Sequence, residues 1–168
     1  EPWLRGQVEK LSDIDLRILE ALQSEGDITN VRLAELVGLS PSPCLQRVRK
    51  LRKIGYISGV SALVNLKKIA NYITLYCQIR LSEQTMRQYS IFEKAIAKIP
   101  EIVECSMISG DYDYIMKLVV RDMSHFNEIM TFMMEMNIGI KNNASIVEVK
   151  KVKNTLEMPL RELIGAES

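Results

Sequence analysis

IDLRILEALQSEGDITNVRLAELVGLSPSPCLQRVRKLRKIGYI, residues 14–57, reads as three short helices separated by two breaks. Ser12 followed by Asp15 opens an apolar pattern of Ile14, Ile18, Leu19 and Leu22 at helical spacing, which predicts a first helix from about Asp13 to Ser24. Gly26 and Asp27 break it. Thr29 then caps a second helix whose apolar face is Val31, Leu33, Leu36 and Val37, and Gly38 supplies the left-handed residue that ends it. The link Gly38-Leu39-Ser40 is short enough to force a steep crossing into a third helix, which begins near Ser40 or Ser42 and runs to about Ile54. Its expected buried stripe is Cys44, Leu45, Val48, Leu51 and Ile54. The opposite side carries Ser42, Gln46, Arg47, Lys50 and Lys53.

Two helices joined by a short glycine-containing turn, the second basic and polar toward its N-terminus, form a helix-turn-helix arrangement. Such a helix fits a major groove roughly 12 Å wide, and its N-terminal side chains reach the base edges. The expected DNA-contacting set is therefore Ser40, Ser42, Pro43, Gln46, Arg47, Arg49, Lys50 and Lys53. Gln46 suits adenine and Arg47 guanine, while Arg49, Lys50 or Lys53 would hold phosphates. Charge agrees. From Leu36 to Ser82 there is no Asp or Glu, whereas Arg47, Arg49, Lys50, Arg52, Lys53, Lys67, Lys68 and Arg80 are all basic. The net charge of +1 therefore hides a basic block set against an acidic remainder of −7. A surface that neutralises phosphates and releases their counterions has this footprint; a merely solvated helix face is the competing explanation.

The rest of the chain changes period. Tyr56 to Val64 reads as an extended connecting strand or hinge, and Asn65 to Ala70 as the domain boundary. Ile73, Leu75, Cys77, Ile79 and Leu81 alternate with polar residues, predicting a strand. A helix from about Thr85 to Ile99 stops at Pro100. Ile102–Ser109 and Tyr112–Arg121 are strand-like around Gly110-Asp111, a pair suited to a two-residue II′ hairpin. A second helix carries Phe126, Ile129, Met130 and Met133, and Ser145 to Val152 supplies a last strand. The order β-α-β-β-α-β is the ferredoxin-like split motif, giving an α+β chain. With Ile73, Leu75, Cys77 and Tyr112, Tyr114, Met116, Leu118, Val120 under the helices, Tyr72, Tyr76, Ile115 and Val119 face away. So apolar a face predicts sheet-to-sheet dimerisation.

The 168 residues exclude a large catalytic barrel, and 47% apolar with 26% charged residues is a globular balance. No 18-residue apolar window or signal peptide is visible, so the expectation is a cytoplasmic protein without a membrane partner. Residues 1–7 are left out of the fold reading. Cys44, Cys77 and Cys105 are widely spaced and His125 is the single histidine, which suggests buried thiols and neither a metal nor a cofactor. No convergent set of acids, bases and nucleophiles points to an enzyme.

Residues 14–57, together with ISGDYDYIMKLVVRDMSHF at 108–126, closely resemble the Lrp/AsnC (feast/famine) transcription regulators across about residues 12–155. SPSPCLQRV at 40–48 is similar to the leucine-responsive branch. The resemblance implies a helix-turn-helix domain over residues 8–58, a connector over 59–70, an effector-binding and oligomerisation (RAM) domain over 71–155, and a tail over 156–168. It implies a sequence-specific regulator of amino-acid metabolism genes, dimeric and assembling to tetramers or octamers. Its effector is a small amino acid such as leucine, methionine or another apolar one, bound between RAM domains. The effector region carried over is Met107, Ser109, Gly110, Tyr112, Asp113, Asp122, Asn143 and Ser145. Asp113 or Asp122 would take the ligand's ammonium, and the Gly110 backbone with Ser145 its carboxylate. Asp122 also suits a helix cap. Where the family often has threonines this chain has Asn143 and Ser145, and Lys68-Ile69-Ala70 stands where a glycine is common. An amino-acid-sensing module acting through protein partners is the alternative.

Overall fold

The computed structural model describes residues 10–165. They fall into two compact units, one running to Leu63 and resuming at Lys153, the other spanning Val64–Val152. The expected domain start at residue 8 lies outside the described residues, as do residues 166–168.

The first unit is helical. Helix α1 (Asp13–Ser24) opens on the expected capping box, in which the Ser12 hydroxyl accepts from the Asp15 amide while the Asp15 carboxylate accepts from the Ser12 amide. Helix α2 (Asn30–Val37) is capped by Thr29 and ended by Gly38 at φ 72°, a conformation that costs glycine little. Helix α3 (Pro41–Lys53) follows after three residues. Ile18, Leu33, Ala34, Val37, Cys44, Val48 and Leu51 form the buried core between them. Leu45 and Ile54 were expected in that core but are exposed, as are Val31 and Leu36 of α2. Three short helices supply too narrow a core to cover every apolar position. Polar ties complete the unit: Arg17 donates to the Leu36 carbonyl (2.8 Å), and Asn30 to that of Pro41 (2.8 Å).

The supposed tail belongs to this unit. After Lys153 the chain forms helix α6 (Leu160–Ile164) against α1. Arg161 reaches Glu20 at 2.9 Å and Asp13 at 2.9 Å, and the Gln23 carboxamide exchanges hydrogen bonds with the main chain of Met158. Tyr56 to Val64 is not a strand, and the division falls between Leu63 and Val64, just before the expected stretch; Leu66–Lys68 makes a single 3-10 turn.

The second unit is a four-stranded antiparallel sheet in the order β2-β3-β1-β4, built from β1 (Ile73–Leu81), β2 (Ile102–Met107), β3 (Tyr114–Val120) and β4 (Ile140–Val147). Helices α4 (Met86–Ile96) and α5 (Met123–Glu135) supply the other side of a core containing Leu75, Cys77, Ile79, Phe92, Tyr114, Met116, Leu118 and Met133. This is the split motif expected. The last strand starts five residues earlier than Ser145 and ends at Val147. Its sequence, IKNNASIV, hides it: an edge strand exposed along most of both faces has no reason to alternate, so backbone pairing with β1 alone defines it. The open face carries half-buried Tyr76, Ile115 and Val119 as expected, but the apolar face is interrupted. Lys117 sits 6.0 Å from the centre of the Tyr76 ring, and the Tyr76 hydroxyl donates to Glu148.

Candidate functional site

On α3, Ser42, Pro43, Gln46, Arg49, Lys50 and Lys53 are exposed, together with the cap residue Ser40. No acidic residue lies on the helix, and Lys50, Arg52 and Lys53 occupy its last turn. The helix thus offers polar side chains along its N-terminal half and cations beyond them, the distribution that suits base edges and phosphates respectively. Arg47 behaves differently from its expected role. Its guanidinium is turned back to α1, 2.8 Å from the Asp15 carboxylate and 3.3 Å from the Ser12 hydroxyl. Partial burial acts to raise the Asp15 carboxyl, but hydrogen bonds from Ser12 and Arg47 outweigh it and hold the group below the usual range. In this geometry Arg47 is a strut between two helices instead of a reader of guanine. A sequence pattern places it on the polar side of α3 without showing that α1 supplies a carboxylate there.

In the second unit, β2 and β3 are joined by a six-residue loop, Ile108 to Asp113, and not by the two-residue hairpin expected. Met107 pairs with Tyr114, and the Ile108 amide donates to the Asp113 carbonyl to close the loop base. Gly110 has φ 119°, open to glycine and strained for other residues. Asp113 is buried. Its carboxylate accepts from the Leu81 amide at 2.7 Å and the Gln84 carboxamide at 3.2 Å, so it staples the loop to the end of β1. Asp122 caps α5 by accepting from the His125 amide at 2.8 Å. Both carboxylates expected to meet an ammonium therefore serve the fold. Asp111, outside the expected effector set, is exposed beside Gly110.

The predicted effector residues are only partly brought together. Ser109, Gly110, Tyr112 and Asp113 share the loop, and among the described residues no hydrogen bond engages the main-chain N–H of Ser109, Gly110, Asp111 or Tyr112. Asn143 is at the same end of the sheet, since it pairs with Ile79, which pairs with Tyr114. Across that row Met107 and Asn143 occupy opposite edge strands, three strand spacings or about 14 Å apart. Ser145 is two pairs further on and donates to the Cys77 sulfur at 3.4 Å. Asp122 lies beyond the other end of β3, at least about 20 Å away by the rise of the intervening strand. One subunit does not gather all these residues at a single point.

The three thiols are unpaired, and burial pushes each up, that of Cys105 to about 11, so none is an activated nucleophile. Among the described residues no group of His, Cys, Asp and Glu could hold a metal ion, and no helix is long and apolar enough to cross a membrane.

Comparison with known proteins matches residues 74–158 to the Lrp/AsnC ligand binding domain and residues 11–58 to a winged helix-turn-helix DNA-binding family. The leucine-responsive regulatory proteins of Klebsiella pneumoniae and Escherichia coli K12 are each 35% identical over 151 residues, covering 90% of this chain and 92% of theirs. Among solved structures, a transcriptional regulator from Neisseria meningitidis in complex with L-Met superposes with a TM-score of 0.85 at 28% identity, covering 92% of this chain and 99% of that one. An AsnC family transcriptional regulator from Agrobacterium tumefaciens gives 0.85 at 29% identity, covering 91% and 99%.

Proposed function

Because the chain belongs to the Lrp/AsnC family of DNA-binding transcription regulators, we propose that α3 reads a duplex by sequence while the Ile108–Asp113 loop receives an apolar amino acid. The observation that carries the DNA reading is the outer face of α3, where Ser42, Gln46, Arg49 and Lys53 are exposed on a helix without an acidic residue. Gln46 is the adenine reader, Arg49, Lys50 and Lys53 grip phosphates, and Arg47 fixes the helix instead of touching bases.

On the ligand side, the unengaged N–H groups of Ser109 to Tyr112 suit the carboxylate of an amino acid, and exposed Asp111 suits its ammonium. L-leucine and L-methionine are the first candidates, given the leucine-responsive relatives and the L-Met complex. Half-buried Tyr76, Ile115 and Val119, with exposed Ile146, support sheet-to-sheet pairing of two copies. A dimer presents two α3 helices to a pseudo-palindromic site, and further assembly to tetramers or octamers brings loops of neighbouring subunits together. Met107, Asn143 and Ser145 then meet the ligand from adjoining copies. Effector binding tunes DNA affinity by about 1–3 kcal/mol through the assembly state. The regulator works on cytoplasmic DNA near amino-acid metabolism genes.

The test is fluorescence anisotropy with the duplex upstream of its own coding sequence, at several salt concentrations, with and without each of the twenty amino acids. Tight binding that weakens steeply with salt and responds to an apolar amino acid is expected. Absent or salt-insensitive binding refutes the DNA reading and leaves a module acting on proteins.

A further inference from the structure

The end of the sheet remote from the loop holds a further cleft, of about 310 Å3, outside the region proposed for the effector. Leu66 and Ile69, from the segment leading into β1, form an apolar wall with Val119, and Glu101, Arg121 and His125 complete it. Both Leu66 and Ile69 are exposed, Ile69 by 70%. The polar side is ordered around the imidazole. Its Nε2 lies 3.4 Å from the Glu101 carboxylate, while its Nδ1 accepts from both the main-chain N–H and the Nε–H of Arg121, each at 3.4 Å. The imidazole thus lies between the Glu101 carboxylate and the Arg121 guanidinium, one at each ring nitrogen.

The ring holds an acid on one side and a base on the other. Glu101 keeps unused acceptor capacity, and the terminal nitrogens of Arg121 have no partner among the described residues. A carboxylate and a guanidinium held apart beside an apolar wall complement a small molecule bearing one ammonium, one carboxylate and a hydrocarbon body. The volume of about 310 Å3 sits at the small end of ligand pockets, which run from roughly 300 to 1,000 Å3. That suits a free metabolite and is small for a nucleotide.

We propose that this cleft is a second small-molecule site, separate from the loop, for a zwitterion with an apolar side chain. Arg121 takes the carboxylate, Glu101 the ammonium, and Leu66 and Ile69 the side chain. The segment that lines it is the one through which the chain enters β1, so occupancy bears directly on that connection.

His125 is the only histidine in the sequence, which makes its ring an unambiguous NMR reporter for this cleft. The full-length protein, labelled uniformly with 15N and with 13C-histidine, is titrated with L-leucine, with 4-methylpentanoate, which lacks the ammonium, and with 3-methylbutylamine, which lacks the carboxylate. Saturable movement of the His125 signal by leucine is expected, with both analogues weaker. Arg121→Gln and Ile69→Asp should each raise the midpoint about tenfold or more, the scale of a lost charge-assisted contact. Gly110→Val, which perturbs the loop, should leave the His125 response unchanged. A His125 signal that stays still while the loop amides saturate overturns the proposal. So does an unchanged midpoint in both cleft variants, or 4-methylpentanoate binding as well as leucine. Failure of the loop reading is distinct, since it would appear as loop amides that do not respond to leucine while the His125 signal still moves.

Discussion

Replacing Asp113 by alanine tests whether this carboxylate builds the loop or meets the effector. The strand β3 begins only at Tyr114, so its main chain offers no acceptor to the Leu81 amide; the Asp113 carboxylate supplies one at 2.7 Å. Leu81 is 2% exposed, which leaves water no easy access to the orphaned N–H. An unsatisfied buried donor costs about 1–3 kcal/mol, and the lost bond was charge-assisted, so Asp113→Ala should destabilise the second unit by about 2–3 kcal/mol. For a domain of this size, 1 kcal/mol moves the midpoint by roughly 4–8 °C, so the melting transition of the unit should fall by roughly 10 °C or more. Asp113→Asn keeps an acceptor and should lose about 1 kcal/mol. The sharpest assay is amide hydrogen exchange at Leu81 in the full-length protein, combined with calorimetric melting. Leu81 exchange should accelerate strongly in the alanine variant and modestly in the asparagine variant. Unchanged exchange and melting, accompanied by loss of amino-acid binding, would refute the staple and return Asp113 to the ligand.

Four further substitutions have defined outcomes. Gln46→Ala should cost about 1–3 kcal/mol on the preferred duplex with little loss on random DNA, whereas Arg49→Ala should weaken both and reduce the salt slope by about 1; anisotropy on matched duplexes separates the two. Because the Asp15 carboxyl is held below its unfolded value of about 3.9, its contribution is present at neutral pH and disappears as pH falls through the folded value. Asp15→Asn should therefore flatten the acid limb of the stability curve of the helical unit, seen in acid titrations followed by circular dichroism. Gly139 has φ 80°, and a methyl there would collide with the Gln88 carboxamide that donates to the Ile138 carbonyl at 2.6 Å. Gly139→Ala should cost about 2 kcal/mol, combining left-handed strain with that lost bond, and adding Gln88→Ala should recover none of the strain component in denaturant melts.

Local pattern and tertiary structure part at Arg47, Asp113 and Asn143. Arg47 and Lys53 look alike in the sequence, both cations on the polar side of one amphipathic helix. They part company because α1 presents Asp15 to the first. Asp113 reads as a loop carboxylate next to a glycine, yet a strand end with a vacant acceptor position captures it. Asn143 sits in a run with no alternation, and only its pairing with Ile79 reveals it as part of a strand. In each case the partner lies between 32 and 64 residues away in the chain, beyond the reach of any local period.

Local chemistry by itself determined the three N-terminal helices, their caps and turn, the β-α-β-β-α-β order and the basic block, because capping, periodicity and charge act within a few residues along the chain. Tertiary structure decided what long-range contact alone can decide. It returned residues 153–165 to the helical unit through Arg161, turned a two-residue hairpin into a stapled six-residue loop, and set Arg47 against Asp15 while leaving Arg49 and Lys53 exposed. The physical reason is that a side chain's propensity is its own, whereas its hydrogen-bond partner and its burial are supplied by whatever distant element folding brings alongside.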